Sequence, residues 1–186
     1  MNTTKIQNVL IVGLLGVSAL TNIFLARQVI SLKGKYTASS TLTQMRPAIG
    51  EVVPPIEVLT MKGDKHLISY REIKLPTVLY IFSPNCGFCK DNAENIKHLH
   101  EQANARYRFL GISIEADNLD KALLNYGIAF PVYTQPSKNS LRVYKFSSTP
   151  QTIVISSDGE VIKNWIGDYS YSNTKKEIEI FLDVKL

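Results

Sequence analysis

Both cysteines of this 186-residue chain follow directly on a continuous apolar run, TVLYIFS at residues 77–83. Its β-branched and aromatic side chains are typical of a strand buried on both faces of a sheet. Two turn-forming residues end the run, and Cys86 and Cys89 come next. From Cys89 onward, apolar side chains recur at helical spacing as far as Ala103. We therefore predict a helix that begins with the cysteine pair and runs to about residue 105.

Three kinds of site use a cysteine pair at this spacing. A structural zinc site needs four ligands, but no second pair exists, and His98 and His100 would point to different helix faces. A structural disulfide here would close too short a loop to stabilise the fold. In a redox pair, by contrast, the helix N-terminus would favour a thiolate at Cys86, and Cys89 would lie on the same side one turn later. The placement favours the redox pair.

The rest of the chain alternates strand and helix signals. Besides the cysteine strand and helix, the predicted elements are a hairpin turning at 62–64, a strand at 107–115, a helix after Asp117 as N-cap, a strand at FPVY (130–133), a short helix at 139–146, a hairpin turning at 158–159 and a helix at 174–184. Strands that alternate with helices favour parallel pairing, and the last hairpin adds antiparallel strands. We predict an α/β fold in which a mixed central sheet is flanked by helices.

The N-terminal part of the chain has a different character. Residues 9–26 carry no charge, and as a helix they would span roughly 27 Å, close to the hydrocarbon thickness of a bilayer. We predict a short tail at 1–8, an N-terminal transmembrane helix at 9–26, a Ser/Thr-rich linker at 27–48 and a globular domain at 49–186. A cleaved signal peptide is the alternative for the apolar segment.

The predicted localisation is the cell membrane, with a single span and the domain on the extracytoplasmic side. Positive charges alone weakly favour the opposite orientation, because Arg27, Lys33 and Lys35 follow the span while Lys5 precedes it. The charge bias is small and long domains often translocate regardless of it, so the redox chemistry expected of the cysteine pair decides the orientation.

The overall charge excludes one class of partner. The net charge is +5, but the 21 Lys and Arg residues are scattered along the chain, and no basic run is longer than two residues. Such a distribution is typical of a solvated surface, so we expect no nucleic-acid partner. No cofactor or metal site is predicted either.

Residues 49–186 resemble the thioredoxin-like family and, within it, the membrane-anchored TlpA/ResA-type thiol–disulfide oxidoreductases. The segments that carry the resemblance are GEVVPPIEVLTMKG, TVLYIFSPNCGFCKDN, FLGISIEADN with YGIAFPVY, and SSTPQTIVISSDGEVIKNWIG. The resemblance implies that Cys86 is the nucleophile and Cys89 the resolving cysteine. It also implies that Thr149-Pro150 is a cis-proline site facing the disulfide, where the Thr149 backbone is free to pair with an extended substrate.

Three features depart from the family pattern, and the first is that Ser83-Pro84-Asn85 replaces the tryptophan that often precedes the motif. Tyr80 stands where thioredoxin has a buried acid, and Asn92 stands where many anchored relatives have a glutamate. The group that accepts the proton of Cys89 is therefore not identified by the resemblance. Asp91, Glu94 and Glu115 are the acidic residues considered for this role, although a solvated or strand-end position suits each of them.

The first functional hypothesis is a membrane-anchored thiol–disulfide oxidoreductase that reduces the disulfides of extracytoplasmic client proteins. A membrane thiol-reductant donor would restore the reduced pair, although an oxidase direction stays open. The second hypothesis is a peroxiredoxin-like thiol peroxidase, for which Ser83 stands at a suitable distance before Cys86, whereas Leu79 occupies the position of an expected proline. The third is a thiol-based metal or precursor-binding chaperone, since two thiolates can hold a soft ion such as Cu(I).

Overall fold

The computed structural model describes residues 13, 16, 18–28, 46–170 and 172–186. Contacts divide the chain into two units, Met1–Thr43 and Gln44–Leu186. In the first unit, residues 18–28 are helical. Among the described residues, no helix combines the length and the hydrophobicity needed to cross a bilayer. The predicted anchor at 9–26 lies partly outside the described residues, and it stays a prediction.

The second unit alternates short strands and helices. The strands are β1 (Ile56–Leu59), β2 (Lys65–Ile68), β3 (Thr77–Phe82), β4 (Arg108–Ser113), β5 (Val132–Thr134), β6 (Gln151–Ile155) and β7 (Val161–Ile166). The helices are α1 (Gly87–Asp91), α2 (Ala93–Ala103), α3 (Leu119–Tyr126), α4 (Lys138–Val143) and α5 (Ser172–Leu182). The predicted order of elements is confirmed, and the boundaries of the last two helices differ from the prediction by up to three residues.

The strands of this unit form one sheet in the order β2-β1-β5-β4-β3-β6-β7. Strand β3 pairs in parallel with β4, and β4 pairs in parallel with β5. The pairings β1–β2, β1–β5, β3–β6 and β6–β7 are antiparallel. The predicted mixed sheet is therefore confirmed. Its topology places the loop after β3, which carries the cysteines, between the loop after β4 and the segment before β6.

Strand β3 is buried along its whole length, as its composition predicts. Because side chains alternate along a strand, Val78, Tyr80 and Phe82 point to the face covered by α1, α2, α3 and α5. Leu79 and Ile81 point to the opposite face, which α4 covers. Tyr80 is thereby directed toward the helices that follow the cysteine pair.

The helix predicted from the cysteines to about residue 105 is interrupted. It consists of α1 and α2, which meet at Asn92 (φ −85°, ψ −4°). The interruption is slight, since Asn92 still donates its N–H to the Phe88 carbonyl and accepts from the Ile96 N–H, both at 3.0 Å. The side chain of Asn92 accepts a hydrogen bond from the backbone of Tyr169.

The predicted N-cap of α3 is wrong by one residue. Asn118, not Asp117, precedes the helix, and its φ of 62° lies in the left-handed region. Asparagine tolerates that region better than most residues, because its short polar side chain costs little there. The Asn118 carbonyl accepts the first helical bond, from Ala122 N at 3.0 Å.

Candidate active site

Cys86 is the N-cap of α1, as the sequence predicts. Its Sγ accepts a hydrogen bond from the backbone N–H of Cys89 at 3.2 Å. It also donates one, as a thiol, to the Thr149 carbonyl oxygen at 3.4 Å. Both cysteines are free, and Cys86 is partly exposed. The sulfur that a substrate can reach therefore lies against an amide at the start of the helix.

Cys89 lies below Cys86 and is fully buried. Burial, reinforced by the hydrogen bond and the charge of Cys86, raises the pKa of the Cys89 thiol from 9.0 to about 12. Hydrogen bonds with the Ser83 backbone and with Thr149 lower the pKa, but by less than burial raises it. Cys89 is thus held as a neutral thiol at physiological pH, because a thiolate there would lose its hydration.

The groups around Cys89 are polar but uncharged. Tyr80 on β3 is fully buried, and burial, followed by the nearby Cys89, raises the pKa of its phenol. Tyr126 on α3 also has a raised pKa, first through burial and then through Cys89 and Cys86. Neither phenol can accept a proton as a phenolate at neutral pH.

Asn92 and Tyr169 complete this buried layer. Asn92 Oδ1 accepts the backbone N–H of Tyr169 at 3.0 Å, and the Tyr169 hydroxyl lies 2.6 Å from Thr152 Oγ1. The Tyr80 hydroxyl and Asn92 Nδ2 are both buried, and a contact with Asn92 partly offsets the rise in the pKa of the Tyr80 phenol. Sequence reasoning missed Tyr169, since nothing in the pattern signals its contact with Asn92.

None of the three acidic residues considered from the sequence contacts the Cys89 thiol. Asp91 is exposed. Glu94 is exposed and lies 3.8 Å from Lys97 Nζ and 4.0 Å from His98 Nε2. Glu115 binds the loop before Cys86 instead.

That loop is held by a short polar network. Glu115 Oε2 accepts from Ser83 Oγ at 2.9 Å and from Asn85 Nδ2 at 3.0 Å. Asn85 Oδ1 in turn accepts from Asn118 Nδ2 at 3.3 Å. The network joins the end of β3 to the loop after β4, and it fixes the residues that immediately precede Cys86.

Thr149 and Pro150 lie on the other side of Cys86. Their peptide bond is cis, as the family resemblance implies. The Thr149 carbonyl is the oxygen that the Cys86 thiol contacts, so the structure brings Cys86, Cys89 and Thr149 together. The role of Thr149 and Pro150 in substrate binding stays a prediction.

The arrangement suits a two-step thiol exchange. One sulfur is accessible and accepts a hydrogen bond, while the second is buried one helical turn away. Strand β3, the cysteine pair at a helix start and a cis-proline beside it together define a thioredoxin-like site. A family model described as a thioredoxin-like domain matches residues 63–181, and the chain belongs to this family.

Solved structures with the same fold extend this result. The thioredoxin domain of a thiol-disulfide oxidoreductase from Bacteroides vulgatus superposes with a TM-score of 0.60 at 15% identity, covering 73% of this chain and 98% of that one. A thiol-disulfide oxidoreductase from Bacteroides fragilis gives 0.56 at 18% identity, covering 69% and 99%. An uncharacterized conserved protein from Geobacillus kaustophilus gives 0.61 at 18% identity, covering 73% and 80%. At these identities the likeness establishes the fold alone. Comparison with curated protein sequences gave no match.

Proposed function

We propose that this protein is a thiol–disulfide oxidoreductase that reduces the disulfides of client proteins. The observation that carries the proposal is the Cys86 Sγ at the start of α1, partly exposed and bound by the Cys89 N–H at 3.2 Å. An accessible sulfur that accepts an amide hydrogen bond is suited to attack, since the amide stabilises negative charge on it. The names of the Bacteroides proteins that share the fold support the same activity.

The reaction consists of two sulfur exchanges. The Cys86 thiolate attacks the client disulfide, forms a mixed disulfide and expels one client sulfur, which takes up a proton. Cys89 then loses its proton, attacks the Cys86 sulfur and closes the Cys86–Cys89 disulfide. The second client sulfur leaves and is protonated. Two electrons pass from the protein to the client, and a dithiol donor restores the reduced pair.

The cellular setting of this activity is also a proposal. Residues 9–26 form a membrane anchor through which the protein contacts the lipid bilayer, and the domain faces the extracytoplasmic side. There the clients are disulfide-containing proteins, and the dithiol donor is a membrane thiol reductant. The uncharged 18-residue segment and the redox chemistry of the domain support this setting. Protease protection of a tagged chain in sealed vesicles tests the orientation.

The activity is tested by single substitutions of the two cysteines in an insulin-reduction assay. Cys86→Ser is expected to abolish reduction, because it removes the attacking sulfur. Cys89→Ser is expected to accumulate a mixed disulfide with insulin, because the second exchange cannot occur. If the Cys86→Ser protein reduced insulin as fast as the wild type, the proposal would be refuted.

The direction of electron flow is tested by equilibrating the pair with glutathione of known redox ratio. A reductase is expected to have a reduction potential near the thioredoxin value of about −270 mV. A potential near the strongly oxidising value of about −120 mV would instead assign an oxidase direction to the same two cysteines.

A further inference from the structure

An open depression lies directly beside the loop that carries Cys86. Its volume is about 630 Å³, and Pro84, Asn85 and Lys90 form one wall, while Asn118 and Lys121 lie on the other. Pro84 and Asn85 immediately precede Cys86, and Lys90 is on the helix that Cys86 starts. A group bound in this depression would therefore lie close to the attacking sulfur of Cys86.

The charged groups that line the depression are both cations. Lys90 and Lys121 are exposed, and neither forms an ion pair with a carboxylate in the part of the chain that the structure describes. Glu115 does not line the depression. Its carboxylate accepts hydrogen bonds from Ser83 and from the lining residue Asn85. Two ammonium groups and several carboxamides facing one space form a surface that attracts carboxylates.

Sheet topology decides where this surface lies relative to a bound client. The depression is built on the loop after β4 and on α3, whereas Thr149 precedes β6, and β4 and β6 flank β3 on opposite sides. The Thr149 carbonyl and the lysines therefore lie on opposite sides of Cys86. A client segment that enters from the Thr149 side and places its own cysteine at Cys86 continues toward Lys90 and Lys121. The client residues that follow its cysteine in this direction are the ones that reach the two lysines.

We infer that the depression lined by Lys90 and Lys121 is a client-binding subsite that selects disulfides with acidic residues close to the reacting cysteine. The inference rests on the proposed reductase function and names its substrate class. The two lysines raise the rate of encounter with acidic segments and hold a carboxylate during the first exchange. They take no part in the bond changes at sulfur.

The test uses the reduced full chain and three short peptide disulfides that differ only in the residues flanking the cysteine. These residues are glutamate, glutamine or lysine, and the second-order rate constant of the first exchange is measured for each. We expect the acidic peptide to react about tenfold faster than the basic one at low ionic strength. The difference should shrink as salt is added, because the charges are exposed.

Two variants test whether the preference for acidic peptides depends on Lys90 and Lys121. In the double variant Lys90→Gln/Lys121→Gln, the ratio of acidic to neutral rate constants is expected to fall to near one. Lys74→Gln is the matched control, since Lys74 is also exposed but lies before the start of β3, at the opposite end of that strand from Cys86. It should keep the wild-type ratio.

The possible failures are distinguishable. If all three peptides are reduced at equal rates, or if the double variant keeps the wild-type ratio, the subsite is refuted while the reductase function stands. If none of the peptides is reduced by the wild type, the proposed function itself is refuted, and the subsite with it.

Discussion

Asn92 Oδ1 accepts the backbone N–H of Tyr169 at 3.0 Å, across 77 positions of sequence. The bond joins the end of the cysteine-bearing helix α1 to the segment that follows β7. Both residues are buried, Asn92 and Tyr169 each at 0% exposure. This hydrogen bond holds the C-terminal end of α1, just after Cys89, against the segment that follows β7. It thereby limits movement of α1 along the sheet.

Asn92→Ala is expected to destabilise the fold, because it leaves the Tyr169 N–H buried without a partner. Such an unpaired group costs about 1–3 kcal/mol. Urea unfolding followed by circular dichroism measures the change in the free energy of unfolding. The matched control is Asn95→Ala, which removes only the partly exposed bond from Asn95 Nδ2 to the same oxygen and should cost less than about 0.5 kcal/mol. Equal losses in the two variants would contradict the assigned role of the Tyr169 contact.

The second exchange is expected to accelerate with pH. Burial is the largest cause of the raised pKa of the Cys89 thiol, and it persists when Cys86 is held in the mixed disulfide, so only a small fraction of Cys89 is thiolate at neutral pH. Because the thiolate is the nucleophile, each pH unit should raise the rate about tenfold between about pH 6 and about pH 9. An aromatic disulfide that releases a coloured thiolate reports both exchanges as separate phases in stopped flow.

The second coloured phase belongs to Cys89, and Cys89→Ser should lack it at every pH. A plateau of this phase below about pH 8 would mean that Cys89 ionises near the range of an ordinary thiol. That result would contradict the uncharged environment described for it.

Gly111 on β4 is expected to tolerate no side chain. A Cβ there would lie 2.9 Å from Val132 Cγ2 and 3.3 Å from Phe130 Cε2, so Gly111→Ala should destabilise the domain by about 1–3 kcal/mol. Gly87 is the matched control, since a Cβ at this helical position meets nothing within 4 Å. Gly87→Ala should be neutral or slightly stabilising, because alanine loses less entropy in a helix. Thermal unfolding of both variants measures the contrast.

Much of this fold could be predicted from sequence because its signals are local. Both hairpins turn at a glycine, Gly63 and Gly159, and each has a φ of 89°, which disfavours other residues. The continuous apolar run of β3 required burial on both faces, and the structure provides it. Helix ends were less accurate, as at Asn118, because capping depends on the loop that enters the helix as well as on the residue itself.

In the candidate site, too, the features with local sequence signals could be predicted and the others could not. The cysteine pair at a helix start and the cis bond at Thr149-Pro150 followed from short motifs and a family resemblance. The layer beneath Cys89 did not, because Tyr169 meets Asn92 only through the path of the chain after β7. The binding of Glu115 to Ser83 and Asn85 likewise depends on the parallel pairing of β3 and β4, which brings their carboxyl ends together.

Glu115 is expected to act on catalysis through the loop that it holds. Glu115→Ala removes the acceptor of two hydrogen bonds, from Ser83 at 2.9 Å and Asn85 at 3.0 Å, so the residues before Cys86 lose a fixed position. We expect the rate constant of the first exchange to fall roughly tenfold, since small misplacements of a reacting group are costly. The free energy of unfolding should fall by about 1–3 kcal/mol as well, because the buried Ser83 hydroxyl loses its acceptor. Glu115→Gln keeps one acceptor oxygen and should recover part of the rate, and Asp117→Ala, an exposed neighbour, should have the wild-type rate. If Glu115→Ala slowed the second exchange and spared the first, its carboxylate would be acting on the Cys89 proton instead.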